Sequence, residues 1–286
     1  MTFNPKKLVL THSHMTDSQI VGLCEYLKTN KVVTHLNLRY SNIETRHGKD
    51  ISDMISVNTT MIVINIGETH IRKEGMEYIS KALTINMTLR VVNLRGAIGR
   101  GGARCIGSAL SVNKTIVYLN IRSNYFGDEG AKYISEGLSV NDTLYRIDLR
   151  HNNIGSEGAK YIADALILNK RLAILEIGHN FYMLRDGVMY IKNAIAINKT
   201  LINVDLYRYG VDLDLIFSIM ISLIRNEKYR FNKIKQNAIA LKCLVNFQRR
   251  FRERQHKPPN GMYVRKLADE HDIDQQIIFK KIKLES

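Results

Sequence analysis

The sequence predicts an α/β solenoid, in which similar strand–loop–helix units stack side by side. The first observation behind this prediction is an asparagine that returns about every 28 residues. These marker asparagines are Asn30, Asn58, Asn86, Asn113, Asn141, Asn169 and Asn198. The other two observations are an apolar pair with strand spacing after each marker and an apolar pair with helical spacing before the later ones.

The pair after each marker predicts a short β-strand, because residues two apart in a strand point to the same face. These pairs are Leu36/Leu38, Ile64/Ile66, Val92/Leu94, Leu119/Ile121, Ile147/Leu149, Leu175/Ile177 and Val204/Leu206. The pair before a marker predicts one face of a short helix. These pairs are Ile79/Leu83, Ile106/Leu110, Ile134/Leu138, Ile162/Leu166 and Ile191/Ile195. One such unit cannot bury its apolar face alone, so we expect stacked units with parallel, paired strands.

The unit is clearest between Tyr118 and Leu172, where it occurs twice. Residues 119–122 (LNIR) return as residues 147–150 (IDLR), and Asn124, Gly127 and Gly130 return as Asn152, Gly155 and Gly158. This pattern resembles the leucine-rich repeat of the ribonuclease-inhibitor subtype, which also occurs in NOD-like receptors and in the activator of the Ran GTPase. The resemblance extends from about Leu8 to Leu206.

The resemblance implies a horseshoe-shaped leucine-rich-repeat solenoid of about seven to eight units of about 28 residues each, with a helical C-terminal extension. It also implies a ladder of loop asparagines that hydrogen-bond the loop backbone. The sequence keeps this residue as Asn124, Asn152 and Asn180 but has Ser41, Thr69, Ala97 and Tyr209 at the equivalent positions. We therefore expect the ladder to be broken at those four turns.

The chain is expected to divide into four segments. Residues 1–29 form an N-terminal capping repeat, and residues 30–225 form the repeat array. Residues 226–257 form a basic C-terminal cap or helix, and residues 258–286 form a short helical tail. The last boundary rests on the run KPPNG at 257–261, the clearest helix-breaking stretch in the sequence.

The composition of the 286 residues, 45% hydrophobic and 24% charged, is that of a globular protein. The net charge of +15 favours acidic partners without identifying one. Cys24, Cys105 and Cys243 show neither metal-binding nor disulfide spacing, which fits a reducing compartment. No signal peptide or long apolar run is visible, so we expect a cytoplasmic protein, or one exported to a host cell without a cleaved signal peptide.

Five N-glycosylation sequons begin at marker asparagines, and the repeat pattern explains them without glycosylation. No nucleophile elbow, phosphate-binding loop or HExxH motif is present. His151 and His179 occupy equivalent positions in their repeats and are interpreted as solvated polar residues. The sequence therefore predicts a non-catalytic interaction module with no cofactor, no metal and no small-molecule substrate.

The concave strand face is the candidate binding site, because side chains beside the apolar pairs point away from the helices. They form a row of asparagines that becomes acidic toward the C-terminus, next to a row rich in arginine. Since Arg and Tyr are frequent interface anchors, we expect a protein partner with acidic groups to bind here. The anchors are Arg39, Arg95, Tyr118, Arg122, Arg146, Arg150 and Tyr207. The alternative is that Arg122 and Arg150 only pair with Asp148 and Glu176.

The basic C-terminal tail supports other hypotheses. Its densest cluster is Arg249, Arg250, Arg252 and Arg254. This stretch is interpreted as a solvated capping helix, or as a contact with nucleic acid or an anionic membrane. Residues 262–286 also resemble a helix-turn-helix. Finally, the resemblance to the Ran activator implies a GTPase regulator, in which Arg72 or Arg100 would be the loop arginine beside the nucleotide.

Overall fold

The computed structural model describes residues 6–206 and 213–231, and these residues contain eight strands and eight α-helices that alternate along the chain. The strands are β1 (Lys7–Val9), β2 (His35–Asn37), β3 (Val63–Asn65), β4 (Val91–Asn93), β5 (Tyr118–Asn120), β6 (Arg146–Asp148), β7 (Ile174–Glu176) and β8 (Asn203–Asp205). The helices are α1 (Asp17–Thr29), α2 (Gly48–Val57), α3 (Arg72–Ile85), α4 (Gly99–Val112), α5 (Gly127–Val140), α6 (Ser156–Leu168), α7 (Arg185–Ile197) and α8 (Leu213–Phe231).

The eight strands form one parallel sheet in chain order. Each strand pairs with the next in the repeat register, so that Leu119 lies beside Ile147 and Ile147 beside Leu175. The predicted α/β solenoid is thereby confirmed. The strands begin one residue before the apolar pairs, and most pair members, such as Leu119 and Ile121, are fully buried against the helices.

Neighbouring strands of a sheet lie about 4.8 Å apart, whereas packed helices need about 8 to 10 Å. Each unit contributes one strand and one helix, so this difference in spacing favours a curved array with the sheet on its inner side, as the resemblance implies. We call the outward surface of the sheet, away from the helices, the strand face.

The marker asparagines from Asn58 to Asn198 are buried and hold successive units together. The Asn141 amide donates to the carbonyls of Leu110 and Asn113 in the preceding unit, at 2.7 and 3.0 Å. Its side-chain oxygen accepts the N–H groups of Thr143 and Leu144, which turn the chain from α5 toward the next strand. The same pattern recurs at Asn58, Asn86, Asn169 and Asn198 and, in part, at Asn113. The asparagine that marks the repeat in the sequence therefore supplies the main side-chain hydrogen bonds between successive units.

The loop asparagines form a second ladder, as the resemblance implies. Asn152 donates to the carbonyls of Ile121 and Leu149, and its oxygen accepts the N–H of Asn124. The expected breaks differ in degree. The Ser41 hydroxyl still reaches the preceding unit at the Leu10 carbonyl, 2.8 Å away. Thr69 bonds only within its own turn, to the Ile66 carbonyl, and Ala97 supplies no polar group.

Both ends of the described array keep the parallel strand pairing of its interior. At the N-terminus, β1 pairs with β2, and α1 begins with a capping box in which Thr16 and Gln19 satisfy each other's backbone. At the C-terminus, α8 continues to Phe231 and so crosses the segment boundary expected at residue 225. The asparagine of each sequon is buried, which agrees with their interpretation as repeat residues. Burial raises the pKa of the Cys24 thiol to about 12, as for an unreactive core cysteine.

We predict that Asn141→Ala lowers the free energy of unfolding by about 3 kcal/mol or more, because two buried carbonyls and two N–H groups lose their partner. Urea unfolding followed by circular dichroism measures this loss. The neighbouring Asp142→Ala, at an exposed position, serves as the control. Equal stability of the two variants would show that the ladder does not hold the array together.

Candidate functional site on the strand face

Three rows of side chains cover the strand face. The first strand residues make one row, in which Tyr118 of β5 lies beside Arg146 of β6. The third residues make a second row, in which Asn120 lies beside Asp148. Two positions beyond each strand end comes the row of Arg39, Gly67, Arg95, Arg122, Arg150 and Gly178. Six predicted anchors, Arg39, Arg95, Tyr118, Arg122, Arg146 and Arg150, thus lie on one surface.

The asparagine row has a structural role that the sequence interpretation missed. The Asn120 side-chain oxygen accepts the backbone N–H of Arg122 at 3.0 Å, and Asp148 does the same for Arg150. Asn37, Asn65 and Asn93 repeat this contact. A short Asn or Asp side chain is needed at this position to satisfy the backbone where the strand ends. The row is therefore an internal support as well as part of the surface.

The C-terminal part of the strand face is neutralised internally. Arg146 forms a buried, two-point pair with Glu176, with distances of 2.8 and 3.0 Å. Arg150 forms a similar pair with Asp148, at 3.0 and 2.7 Å, and its guanidinium lies 3.1 Å from Glu176 and 3.7 Å from Asp205. For Arg150, the alternative drawn from the sequence is correct, since it pairs with both Asp148 and Glu176.

Proton affinities in this cluster follow from burial and charge. Burial disfavours the Asp148 carboxylate, but hydrogen bonds from Arg150 outweigh it and hold the pKa of Asp148 below its usual value. Burial and the charge of Asp148 raise the pKa of Glu176, against the effect of Arg146. Burial alone would lower the pKa of Arg150, yet Asp148 and Glu176 raise it. Most charged groups of this cluster are therefore paired with one another, and few remain available to a partner.

The N-terminal part of the strand face carries excess positive charge. Glu68, which follows the glycine of its unit, lies 2.8 Å from Arg95 Nε and 3.9 Å from Arg39. The Arg95 contact is close enough for an ion pair, although its angle is poor for a hydrogen bond. Arg39 also stacks on the ring of Tyr40, 4.5 Å away. One carboxylate therefore serves two arginines here, and the sequence interpretation had not singled out Glu68.

Strand β5 and the turn that follows it present three buried donors without partners among the described residues. Tyr118 and Asn120 are each 1% exposed, and the Tyr118 hydroxyl and Asn120 Nδ2 have no hydrogen-bond partner within the described residues. Arg122, two residues further along the same face, has a buried Nε in the same condition. The guanidinium of Arg146 covers the Tyr118 ring at 4.7 Å. Among the described residues, six buried polar atoms lack partners, and three of them belong to this set, which we call the β5 donor set.

Arg122 differs from its neighbour Arg150 because no carboxylate is paired with it in the described residues. Its Nη2 instead lies 3.0 Å from Nε2 of His151, a neutral ring. Burial and the charge of Arg122 lower the pKa of His151 to about 4. Burial, Arg150 and Arg95 in turn lower the pKa of Arg122 itself. Arg122 is thus a cation near other cations that has no carboxylate partner among the described residues.

His151 belongs to a row along the rim of the strand face. Residues at its position in each unit adopt a left-handed backbone, with φ near +60°. They are His12, Tyr40, Glu68, Gly96, Ser123, His151 and His179. The rings of His151 and His179 stack at 4.6 Å, so these histidines are packed against each other rather than simply solvated.

Other predicted residues are placed differently. Arg72 and Arg100 are exposed at the starts of α3 and α4, and nothing in the structure tests their role beside a nucleotide. Tyr207, Arg249, Arg250, Arg252 and Arg254 lie outside the described residues, as does the segment 262–286 that resembles a helix-turn-helix. Their contacts with partner, nucleic acid or membrane stay predictions.

The described part of the chain holds no group of three or more His, Cys, Asp or Glu residues arranged to bind a metal ion. Within the same residues, no helix combines the length and the apolar character that crossing a bilayer requires.

A family model described as "Leucine Rich repeat" matches residues 112–135 and 140–163. The match falls on the two units in which the repeat is clearest. No curated protein sequence matches the chain significantly. The structure and this match confirm the leucine-rich-repeat prediction, whereas the ribonuclease-inhibitor subtype stays a prediction.

Similar solved structures share little sequence with the chain. One described as leiomodin-1 Actin-Binding Site 2 is 19% identical, with a TM-score of 0.45, over 66% of this chain and 90% of that one. The tropomodulin C-terminal domain of Caenorhabditis elegans is 13% identical, with a TM-score of 0.47, over 68% and 100%. A chain of the yeast Rad7 and Elc1 complex is 15% identical, with a TM-score of 0.47, over 70% and 49%.

We predict that Arg146→Met costs about 3 kcal/mol of stability, because it leaves Glu176 buried with only Arg150 beside it. Adding Glu176→Gln should restore part of the loss. Arg122→Met should change stability by less than about 1 kcal/mol, since no buried carboxylate depends on it. Urea unfolding of the four proteins tests this contrast, and a loss at Arg122 equal to that at Arg146 would contradict it.

We predict that His151 titrates with a pKa of about 4 and that Arg122→Met raises this value without restoring it fully, because burial remains. The folded chain accepts this proton less readily than the unfolded chain, whose histidine pKa is about 6.5. The contribution of His151 to stability is therefore lost as the pH falls from about 6.5 toward 4. NMR titration of the imidazole protons measures the pKa, with Lys132→Met on the exposed surface of α5 as the control.

Proposed function

We propose that this repeat array, two units of which match a leucine-rich-repeat model, binds a protein partner on the strand face. The fold by itself does not assign a function, so the proposal rests on the chemistry of the face. Side chains fixed on a rigid sheet lose little entropy when a partner binds. The face is therefore suited to recognition by preformed contacts.

The β5 donor set is the observation that carries the proposal. Tyr118 and Asn120 of β5 and Arg122 just after it present three donors on one face, and each donor is buried without a partner among the described residues. A buried donor without an acceptor costs about 1–3 kcal/mol. An acceptor supplied by a bound molecule would remove this cost after a local shift of the side chains that cover the donors, such as Arg146 over Tyr118.

The charge around the set indicates what kind of acceptor fits. Arg39 and Arg95 share one carboxylate, Glu68, and Arg122 has none among the described residues, whereas the arginines further along the sheet are paired with Glu176 and Asp148. A carboxylate from a partner would complete a charge-assisted pair with Arg122, and such pairs are stronger than neutral hydrogen bonds. We therefore assign the centre of the site to Arg95, Tyr118 and Arg122 and its preferred ligand to an Asp, Glu or C-terminal carboxylate of a protein.

Arg146 and Arg150 have a different role in this proposal. Arg146 covers the Tyr118 ring and keeps it in place, and Arg150 keeps Asp148 and Glu176 neutralised beside the site. Their substitution would change both folding and binding. Arg122 and the Tyr118 hydroxyl are the better probes, because no carboxylate depends on Arg122 and the hydroxyl has no partner within the described residues.

We predict that Arg122→Glu weakens binding of the partner by about thirtyfold or more, because an attractive contact becomes a repulsive one. Tyr118→Phe should weaken it by about fivefold through loss of one donor. The partner is first captured from lysate on the full-length protein and identified by mass spectrometry, and affinities are then measured by calorimetry.

Lys132→Glu, which makes the same charge change on the exposed helix side, should bind like the unmodified protein. Circular dichroism checks that each variant is folded. Unchanged affinity of folded Arg122→Glu would reject the strand face as the site. Once the partner is known, reversing its acidic residue should restore affinity toward Arg122→Glu, and failure of this exchange would reject the proposed carboxylate contact.

A further inference from the structure

A second surface of the array shows a regular pattern that binding on the strand face does not use. The last residue of each of six consecutive helices, α2 to α7, is aliphatic and more than half exposed. These residues are Val57, Ile85, Val112, Val140, Leu168 and Ile197. Single exposed aliphatic residues are ordinary, but a row with one member in every unit is not. We call this row the aliphatic edge.

The edge is continuous because the marker asparagines beside it keep the units in register. Each aliphatic residue directly precedes a marker, and each marker binds the preceding unit. Side chains just after the markers touch across units: Lys31 donates to Thr59 at 2.9 Å, and Lys114 pairs with Asp142 at 3.0 Å. Equivalent positions therefore lie next to one another, and the six aliphatic side chains form one row.

Positive charge accompanies the row. The two positions after each marker carry the exposed cations Lys31, Lys114, Lys170, Arg171 and Lys199. Asp142 is the one acid at these positions in the units from Asn30 to Thr200, and Lys114 is bound to it. One cation, Lys170, also caps the carbonyl of Ile167 in the last turn of α6. The edge thus combines aliphatic side chains with an excess of lysine and arginine.

Part of the backbone at this edge is satisfied from within. The marker amides take up the carbonyls two residues before the helix ends, as Asn169 does for Leu138 and Asn198 for Leu166. Helix ends normally leave such carbonyls to water. Their internal pairing lowers the cost of moving the edge out of bulk water.

We propose that the aliphatic edge docks the protein on an anionic lipid surface. Aliphatic side chains flanked by lysines are the composition of interfacial membrane contacts, in which apolar groups enter the headgroup region and cations meet anionic lipids. A row along one side of a solenoid reaches a flat surface at several points at once. Nucleic acid would use the cations but not the aliphatic row, since such sites stack bases on aromatic side chains.

A single tryptophan can report docking at this edge, because the natural sequence contains none. Leu168→Trp places the reporter on the edge, and Tyr78→Trp places it at an exposed position in the middle of α3. Each full-length variant is mixed with vesicles of phosphatidylcholine and phosphatidylserine, with and without brominated acyl chains. We expect a blue shift and bromine quenching for the reporter at 168 and neither for the reporter at 78.

A second measurement removes the aliphatic groups. Combined Val112→Ser, Val140→Ser and Leu168→Ser should lower partition onto the same vesicles by about tenfold or more. The control changes three exposed apolar residues elsewhere, Val21→Ser, Tyr78→Ser and Tyr190→Ser, and should leave partition unchanged. Vesicles of phosphatidylcholine alone should bind far less, because they lack the anionic headgroups.

Other outcomes would overturn the proposal. Absence of vesicle binding would do so directly. Binding without quenching at 168 would place the contact elsewhere, for example in the basic residues beyond 231. A blue shift at 168 that grows with protein concentration without vesicles would mean that a second copy of the chain covers the edge. Equal binding to neutral vesicles would refute the role given to the cations. None of these results bears on the strand face.

Discussion

The short distance between parallel strands, about 4.8 Å, sets the character of the whole array. Within the sheet, this short distance brings equivalent side chains of successive units into contact. Arg146 covers Tyr118 at 4.7 Å, and His151 stacks on His179 at 4.6 Å. Because side chains alternate along a strand, every second residue points away from the helices. The polar residues at these positions are buried against each other. The strand face is an ordered polar layer in which most groups support their neighbours and a few, on β5, are left over.

The fold can be predicted almost completely from the sequence, because the same spacing of strand and helix positions recurs in unit after unit. A single unit that departs from the pattern, such as the one with Ala97 in place of the loop asparagine, is stabilised by packing and hydrogen bonds from its neighbours. The strand face was predictable as a surface but not in its detail. Arg122 and Arg150 hold equivalent repeat positions, yet Arg150 is bound to Asp148 while Arg122 faces a neutral histidine. That difference depends on Asp148, which stands in β6 where β5 has Asn120, and on Glu176 of the next unit, and the repeat consensus contains neither acid.

The array also separates its two proposed contacts. The strand face offers directional donors and fixed charges, which favour one partner group in one position. The row formed by Val57, Ile85 and their equivalents offers only apolar contact and diffuse charge, which favour a surface without a fixed pattern. Both depend on the same repeat register, so a change in unit spacing would disturb the two together.

The side-chain amides of the marker asparagines from Asn58 to Asn198 all donate toward the preceding unit. Asn141 donates to Leu110 in α4, and Asn169 donates to Leu138 in α5. A unit is consequently complete only when the next marker is present. During synthesis, the carbonyls near the end of one helix can be paired in this way only after the marker of the next unit has been made. The last helix of an incomplete chain therefore still lacks these hydrogen bonds.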